Sequence, residues 1–151
     1  MWNAMGAAPT PMSWGEVITS LSTGTIEALD HSLGVFNDFS LHEIAPYITL
    51  TNHASSPFPI ICSLDWFKSL SAEDQALIQE AVTLACKQQR DEERANEMDY
   101  IQRFKDEGAT VEELTDEEVA AFKAAVQPVY DKWRAKVGDE MMDLWLATVP
   151  Q

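Results

Sequence analysis

Hydrophobic and polar positions follow two different patterns along the chain. Up to residue 70, Pro, Gly, Ser and Thr divide the sequence into short units, whereas the remainder is rich in Ala, Glu, Lys and Gln, which favour helices. In the first part, Ser13 followed by Glu16 forms a capping-box pattern, which predicts a helix that ends near Gly24. Apolar positions over 33–44 predict a second, irregular helix that Pro46 closes.

Three short stretches of the first part have the composition of strands. Weak alternation predicts a short strand at 25–29, and the β-branched residues of 47–51 predict a clear one. Residues 58–62 are apolar throughout, which predicts a strand buried on both faces, although Pro59 favours an edge or the start of a strand. One turn of helix is predicted at 65–67.

The second part of the chain predicts one very long helix. Ser71 caps it, and it runs from Ala72 to about Glu107, just before Gly108. Both of its ends carry apolar residues, but 87–97 is almost entirely polar. A helix of this length with such a middle is unusual in a single domain, and one explanation is that its two ends serve different packing units.

The end of the chain also predicts helices. A short extended piece is predicted at 111–114, after which Thr115 caps a helix with an acidic first turn. Gly138 ends that helix, and 141–146 predict a last short one. Together these elements predict an α/β fold of short strands and helices with one long helix.

Composition and charge narrow the possible functions. The 151 residues are 46% apolar and carry 10 basic against 25 acidic side chains, a net charge of −15. This excess of acid disfavours nucleic acids and anionic membranes, because both bind clustered positive charge. No apolar run approaches the ~20 residues that span a bilayer, and Met1-Trp2-Asn3 does not resemble a signal peptide. Taken literally, the sequence predicts a cytoplasmic chain; taken as a fragment or a mature domain, it is compatible with any compartment.

Residues that could carry chemistry are sparse. Cys62 and Cys86 match no zinc motif; we expect two reduced core thiols, with a disulfide or a reactive thiol as alternatives. His31, His42 and His53 are each 11 residues apart, which matches no metal motif. The sequence also lacks the nucleotide-binding, metalloprotease and serine-hydrolase motifs, so we expect no catalytic residues, no metal and no cofactor.

Several segments resemble one family, in order along the chain. Residues 6–17, Gly-Ala-Ala-Pro-Thr-Pro-Met-Ser-Trp-Gly-Glu-Val, resemble a GA-x-P-T-P-M-x-aromatic-x-E-V signature, and 21–31 resemble an L-Q-T-G-x-x-D-G-x-E-N segment. Residues 47–53 are similar to a Y-L-T-L-T-N-H strand, and 114–118 and 126–130 also have family character. By these motifs the chain resembles, over essentially its whole length, the solute receptors of tripartite ATP-independent periplasmic (TRAP) transporters.

The resemblance implies a fold and a domain organisation. Such receptors are two-lobed α/β binding proteins of about twice this length, so the chain resembles their C-terminal half only. It implies a periplasmic-binding-protein-like second lobe with one long connecting helix. Residues 1–56 and 97–151 are predicted to form that lobe. Residues 57–96, a strand plus the first half of the long helix, are predicted to cross to the first lobe.

The resemblance also implies ligand contacts. The aromatic residue of the signature corresponds to Trp14, which would cover the apolar face of a ligand, and the pocket asparagine corresponds to His31, a departure from the pattern. Asp30 occupies the preceding acidic position, which in some relatives helps to bind a metal beside the substrate. The arginine that clamps the ligand carboxylate lies, in the family, before the position of Met1, and residues 1–89 contain no arginine. We therefore predict Trp14, Asp30 and His31 as ligand-binding residues, with no metal.

The implied function is binding and not catalysis. The chain would be part of a periplasmic receptor that binds a small organic acid, a carboxylate, and delivers it to the membrane permease of the transporter. The alternative is a truncated, binding-incompetent receptor whose fragment mainly self-associates. A hydrolase or lyase on a similar shell is a third possibility, which the absence of a nucleophile–base set in the sequence disfavours.

Loss of the first lobe would leave apolar residues of the crossing segment without their usual partners. Burial of one large apolar side chain contributes ~1.5–3 kcal/mol, so exposing several would offset the whole stability of a typical domain. We therefore expect a homo-oligomer, most simply a two-fold dimer. The side chains concerned are Phe58, Ile60, Ile61, Trp66, Phe67, Leu77, Ile78 and Leu84.

Overall fold

The computed structural model describes residues 1–54 and 58–148. These residues form two compact units, the first made of residues 1–27 together with those from 113 onward, and the second of residues 28–112. Helices dominate, and the predicted α/β class with one long helix is confirmed. The elements in chain order are a 3₁₀ turn Trp2–Met5, α1 Trp14–Ser22, α2 Leu33–Asp38, α3 Leu41–Ile44, β1 Tyr47–Leu50, α4 Leu64–Ser69, α5 Ala72–Asp106, β2 Thr110–Glu113, α6 Asp116–Val137 and α7 Asp139–Leu146.

The first unit is helical, and both of its predicted caps are present. At the start of α1, the Ser13 hydroxyl donates to the Glu16 carboxylate at 2.7 Å. At the start of α6, the backbone N–H of Thr115 donates to the Glu118 carboxylate at 2.8 Å, and this bond holds the pKa of Glu118 below its ordinary value. The 3₁₀ turn packs against α6.

An ion-pair cluster joins the last two helices of the first unit. Arg134 near the end of α6 pairs with Asp139 at 3.2 Å and with Asp143 at 2.7 Å, both on α7. Gly138 lies between the helices with a φ of +86°, in the region that favours glycine, which explains why the chain turns there. The predicted break at Gly138 is therefore confirmed.

The second unit is built around α5. Strands β1 and β2 pair to form its sheet. Where the pairing begins, the backbone N–H of Thr110 donates to the carbonyl of Pro46 at 2.7 Å. Helix α2 packs on α3 and on α5. The buried apolar side chains of this unit come from α2, α3, β1 and the C-terminal third of α5 with the turn after it: Phe36, Leu41, Ile48, Ile101, Phe104 and Ala109.

Three predicted elements differ in the structure. Residues 25–29 form no strand. The helix predicted over 33–44 is divided into α2 and α3 at Ser40, whose left-handed φ of +49° cannot belong to a continuous helix. Residues 58–62 are exposed and form no strand: in the described residues the sheet consists of β1 and β2, and 58–62 pair with neither.

The long helix α5 is confirmed from Ala72 to Asp106. Its polar middle is mostly exposed and is bridged along its own surface, by Lys87 to Asp91 at 2.5 Å and by Gln88 to Glu92 at 2.7 Å. All of α5 belongs to the second unit. The predicted division of the chain into 1–56, 57–96 and 97–151 stays a prediction, and its boundary at 56 and 57 lies outside the described residues.

A buried histidine closes the core of the second unit. His42 is 2% exposed, and its ring stacks on that of Phe104 with centroids 4.5 Å apart. Its Nε2 lies 2.5 Å from the Glu107 carboxylate, which also accepts from Arg103 at 2.8 Å; Arg103 in turn donates to Asn37 of α2 at 2.8 Å. These bonds tie the end of α5 to α2 and α3. They also hold the pKa of Glu107 below its ordinary value, with Arg103 as the largest cause and His42 as the second.

The cysteines differ from the expectation of two core thiols. Both are free, Cys86 is half-buried on α5, and Cys62 is exposed because residues 58–62 do not enter a sheet. Over residues 1–54 and 58–148, the structure contains no helix with the length and apolarity that a membrane crossing requires.

The network around Glu107 predicts a specific loss of stability in acid. Its carboxylate has a lower pKa folded than unfolded (~4.3 when unfolded), so it stabilises the fold above that pH. That contribution is lost as the pH falls through the lower folded pKa. Glu107→Gln removes this proton linkage, so the difference in unfolding free energy between wild type and variant is greatest near neutral pH and shrinks toward pH 3. Denaturant unfolding at a series of pH values measures it.

Glu112→Gln is the matched control, because it removes a carboxylate from β2 and leaves the bonds among His42, Arg103 and Glu107 in place. A Glu107→Gln variant whose pH dependence matches that of the control would contradict the assignment.

Candidate functional site

The segment before α2 presents two of the predicted ligand residues. Asp30 and His31 are both exposed, and Ser32 directly after them is the N-cap of α2. The backbone N–H of Ser32 donates to His31 Nδ1 at 2.9 Å. Since Nδ1 acts as the acceptor, the neutral ring carries its proton on Nε2, which makes that atom a hydrogen-bond donor.

Asp30 belongs to a hydrogen-bonded cluster with two residues that follow β1. Its Oδ2 lies 3.2 Å from Nε2 of His53, and Nδ1 of His53 lies 2.6 Å from the Thr51 hydroxyl. With Nε2 donating to the carboxylate, Nδ1 accepts from the hydroxyl, so one tautomer satisfies both contacts. The His53 side chain is 21% exposed and that of Asp30 is 52% exposed. The cluster therefore fixes a carboxylate that still faces solvent.

The backbone after β1 explains how His53 reaches Asp30. Asn52 adopts a left-handed φ of +46°, a conformation that asparagine tolerates better than most residues, and the chain turns there at the end of the strand. The sequence alone does not single out His53 as a site residue. His53 and Asp30 are 23 residues apart, so no sequence spacing indicates their contact. The one indication is that His53 ends the segment 47–53, which resembles a strand of the family.

Trp14 lies in the first unit, at the first position of α1, and is 39% exposed. Beside it, α1 borders an open groove of about 420 Å³ lined by Met12, Gly15, Glu16, Thr19 and Ser20. The structure thus presents Trp14 on one unit and Asp30 with His31 on the other. That they face the same ligand stays a prediction.

One cluster has the composition of a cation site. Ligand atoms of His42, Glu43 and Glu107 lie within 4.8 Å of one another. The guanidinium of Arg103 already bonds Glu107, and its pKa is raised chiefly by that bond and also by the charge of Glu43. Since Arg103 supplies the positive charge, we assign this cluster to the stability of the second unit.

The hydrogen-bonded order of hydroxyl, imidazole and carboxylate in Thr51, His53 and Asp30 also occurs in hydrolases. The relatives of this chain, however, are named as binding proteins. The chain is 30% identical over 145 residues to the ectoine-binding periplasmic protein TeaA of Halomonas elongata. It is 30% identical over 150 residues to the 2,3-diketo-L-gulonate-binding periplasmic protein YiaO of Escherichia coli.

These matches cover 95% and 99% of this chain but 42% of each relative, so the chain spans less than half the length of the curated relatives it matches. A solved TRAP periplasmic solute-binding protein from Polaromonas, bound to D-erythronate, superposes with a TM-score of 0.89 at 27% identity. That superposition covers 99% of this chain and 48% of the solved one. The predicted fold, one half of a TRAP solute receptor, is confirmed.

A family model gives the same assignment over most of the sequence. The description "bacterial extracellular solute-binding protein, family 7" (DctP) matches residues 1–136. This range includes Trp14, Asp30, His31 and His53. The chain belongs to family 7 of the bacterial extracellular solute-binding proteins.

Proposed function

We propose that this chain supplies the C-terminal half of a periplasmic receptor that binds a small organic acid and delivers it to the permease of a TRAP transporter. In this proposal the chain binds and does not catalyse. The observation that carries it is the match, over nearly the whole chain, to binding proteins whose named ligands include D-erythronate and 2,3-diketo-L-gulonate. Both ligands are hydroxylated carboxylates, which supports a small organic acid as the ligand.

The exposed groups suit a hydroxylated acid. Nε2–H of His31 is a donor for a carboxylate or hydroxyl oxygen, and the Asp30 carboxylate, fixed by His53, is an acceptor for a ligand hydroxyl. Trp14 offers a ring face for the carbon chain of the ligand. We propose Trp14, Asp30 and His31 as ligand contacts, with His53 as the residue that holds Asp30.

The carboxylate of such a ligand also needs a positively charged side chain to bind it. Residues 1–89 contain no arginine, and the chain as a whole carries −15. A bidentate guanidinium is the usual clamp for a carboxylate, so we propose that it comes from the part of the receptor outside this chain. We also propose that residues 57–96 pack on that part, as the resemblance implies.

The first prediction from this proposed function concerns the affinity of the chain for an organic acid. Because one wall of the cleft and the clamping cation lie outside this chain, the chain by itself should bind D-erythronate or 2,3-diketo-L-gulonate no tighter than millimolar, about −4 kcal/mol. Isothermal titration calorimetry measures this. Micromolar binding by the chain alone would contradict the proposal that the cleft needs a second half.

The second prediction concerns the proposed contacts. In a chimera that joins this chain to the remaining half of the Escherichia coli relative, binding of an organic acid should become measurable. Trp14→Ala or His31→Ala should then weaken it about three- to tenfold, the value of one lost ring contact or hydrogen bond. Trp133→Ala is the matched control, because Trp133 is a half-exposed tryptophan on α6, outside the proposed site. Equal effects of Trp14→Ala and Trp133→Ala would remove Trp14 from the site.

A second candidate function, self-association, is favoured by one observation. The chain from 58 to 84, here called the apolar segment, exposes a series of large apolar side chains. Phe58 and Ile61 are 85% exposed. Large exposed apolar surface on a folded chain is typical of an interaction site. The others are Ile60, Leu64, Trp66, Leu77 and Leu84. We propose that an isolated chain covers this segment by forming a homo-oligomer, most simply a two-fold dimer.

The third prediction follows from this proposal. Size-exclusion chromatography with light scattering should give twice the 16.9 kDa mass of the chain. Because each copy carries −15, association should strengthen as salt screens the repulsion. Ile61→Asp should shift the chain to a monomer, whereas Leu144→Asp, at a similarly exposed leucine on α7, should not. A wild-type chain that remains a monomer at high salt would refute self-association.

A further inference from the structure

Helix α5 makes an unusually close contact with α2 at a glycine. Gly34 is buried in the first turn of α2, and the Glu93 carboxylate of α5 lies flat against it. A Cβ added at Gly34 would lie 2.5 Å from Oε1, 3.0 Å from Oε2 and 3.1 Å from Cδ of Glu93. These distances are below ordinary van der Waals contact, so a larger residue at position 34 would force the flexible end of the Glu93 side chain to move.

The position of the carboxylate has an electrostatic meaning. The first turn of a helix has backbone N–H groups without intrahelical acceptors, and negative charge is favourable there. Helix α2 has no acidic residue in its own first turn, and the Ser32 hydroxyl is 3.5 Å from the N–H of Val35, a long contact for a cap. The Glu93 carboxylate brings a negative charge from α5 close to this first turn, beside Gly34.

This contact also distinguishes Glu93 from its neighbours in the polar middle of α5. Asp91 and Glu92 are exposed and pair along the helix with Lys87 and Gln88, whereas Glu93 is half-buried. Its partial burial comes with its place against Gly34 of α2.

The segment that Glu93 abuts is the one with the proposed ligand residues. Ser32 caps α2, its N–H bonds the His31 ring, and Asp30 precedes both. We propose that Glu93 is a positioning residue: by seating its carboxylate on Gly34, it fixes the start of α2 and with it the orientation of the His31 ring. The ligand role of this orientation rests on the function proposed above, but the positioning does not.

The test uses the isotope-labelled full chain and two signals that need no ligand. Glu93→Ala should shift the ring Cε1–Hε1 signal of His31 in the NMR spectrum. It should also speed the amide hydrogen exchange of Leu33 and Gly34 about two- to fivefold, the expected value of a charge at a helix terminus. Glu92→Ala is the matched control, since it removes an adjacent carboxylate that points along α5. Identical spectra and exchange rates for the two variants would overturn the proposal.

A double variant tests whether Gly34 and Glu93 act together. Gly34→Ala should displace the carboxylate and shift the His31 signal, because the new methyl group occupies its place. The pair Gly34→Ala with Glu93→Ala should resemble Glu93→Ala alone, since residues in direct contact are not additive. Gly15→Ala, in α1, is the control, because a Cβ there meets nothing within 4 Å. Additive shifts would show that the two residues act independently and would refute the proposal.

The affinity of the chimeric receptor for an organic acid separates the positioning role of Glu93 from the ligand-binding role of His31. Weaker acid binding by Glu93→Ala, together with the His31 shift, supports both. A shifted His31 signal with unchanged affinity supports the positioning and removes His31 from the ligand contacts.

Discussion

The packing of the second unit depends on the interactions at the C-terminal end of helix α5. There the buried ring of His42 stacks on Phe104, and Glu107 joins that ring to Arg103. The His42 ring is 2% exposed, so its N–H needs a hydrogen-bond acceptor, which the Glu107 carboxylate provides. The Arg103 guanidinium in turn holds that carboxylate in place. Through this cluster α2 and α3 are fixed to α5, and the strand pair begins just after it.

That arrangement leaves the two ends of α5 in different environments. The C-terminal third buries Ile101 and Phe104 in the core of the second unit, whereas Leu77 and Leu84 near the other end are more than 60% exposed. The anchored end holds α2, with its candidate ligand residues, in place. The other end carries exposed apolar surface. One helix therefore has a packed C-terminal end and an exposed apolar N-terminal end.

Elements defined by local signals were predictable from the sequence. Helix caps act within a few residues, so the capped helices begin or end where the sequence pattern indicates. The examples are the capping boxes at Ser13 and Thr115, the N-cap Ser71 and the glycine at position 138. Residues 58–62 have strand composition but form no strand in this structure, because strand formation depends on a partner and not on propensity. The contact between Asp30 and His53, and that between Gly34 and Glu93, join positions far apart in the chain, and spacing carries no trace of either. The family resemblance indicated Asp30 and His31, yet it did not indicate that His53 and Glu93 support them.

The length of α5 has a mechanical consequence. A helix of 35 residues is a stiff rod ~52 Å long, at 1.5 Å per residue. Since the helix is held at its C-terminal third, about 35 Å of it lies beyond that contact, and a tilt of about 5° there would move the far end through roughly 3 Å. Glu93 lies between that contact and the far end, and its carboxylate lies against the first turn of α2. A movement of this turn that displaced Glu93 would therefore displace Leu77 further, because Leu77 is farther from the contact between His42 and Phe104.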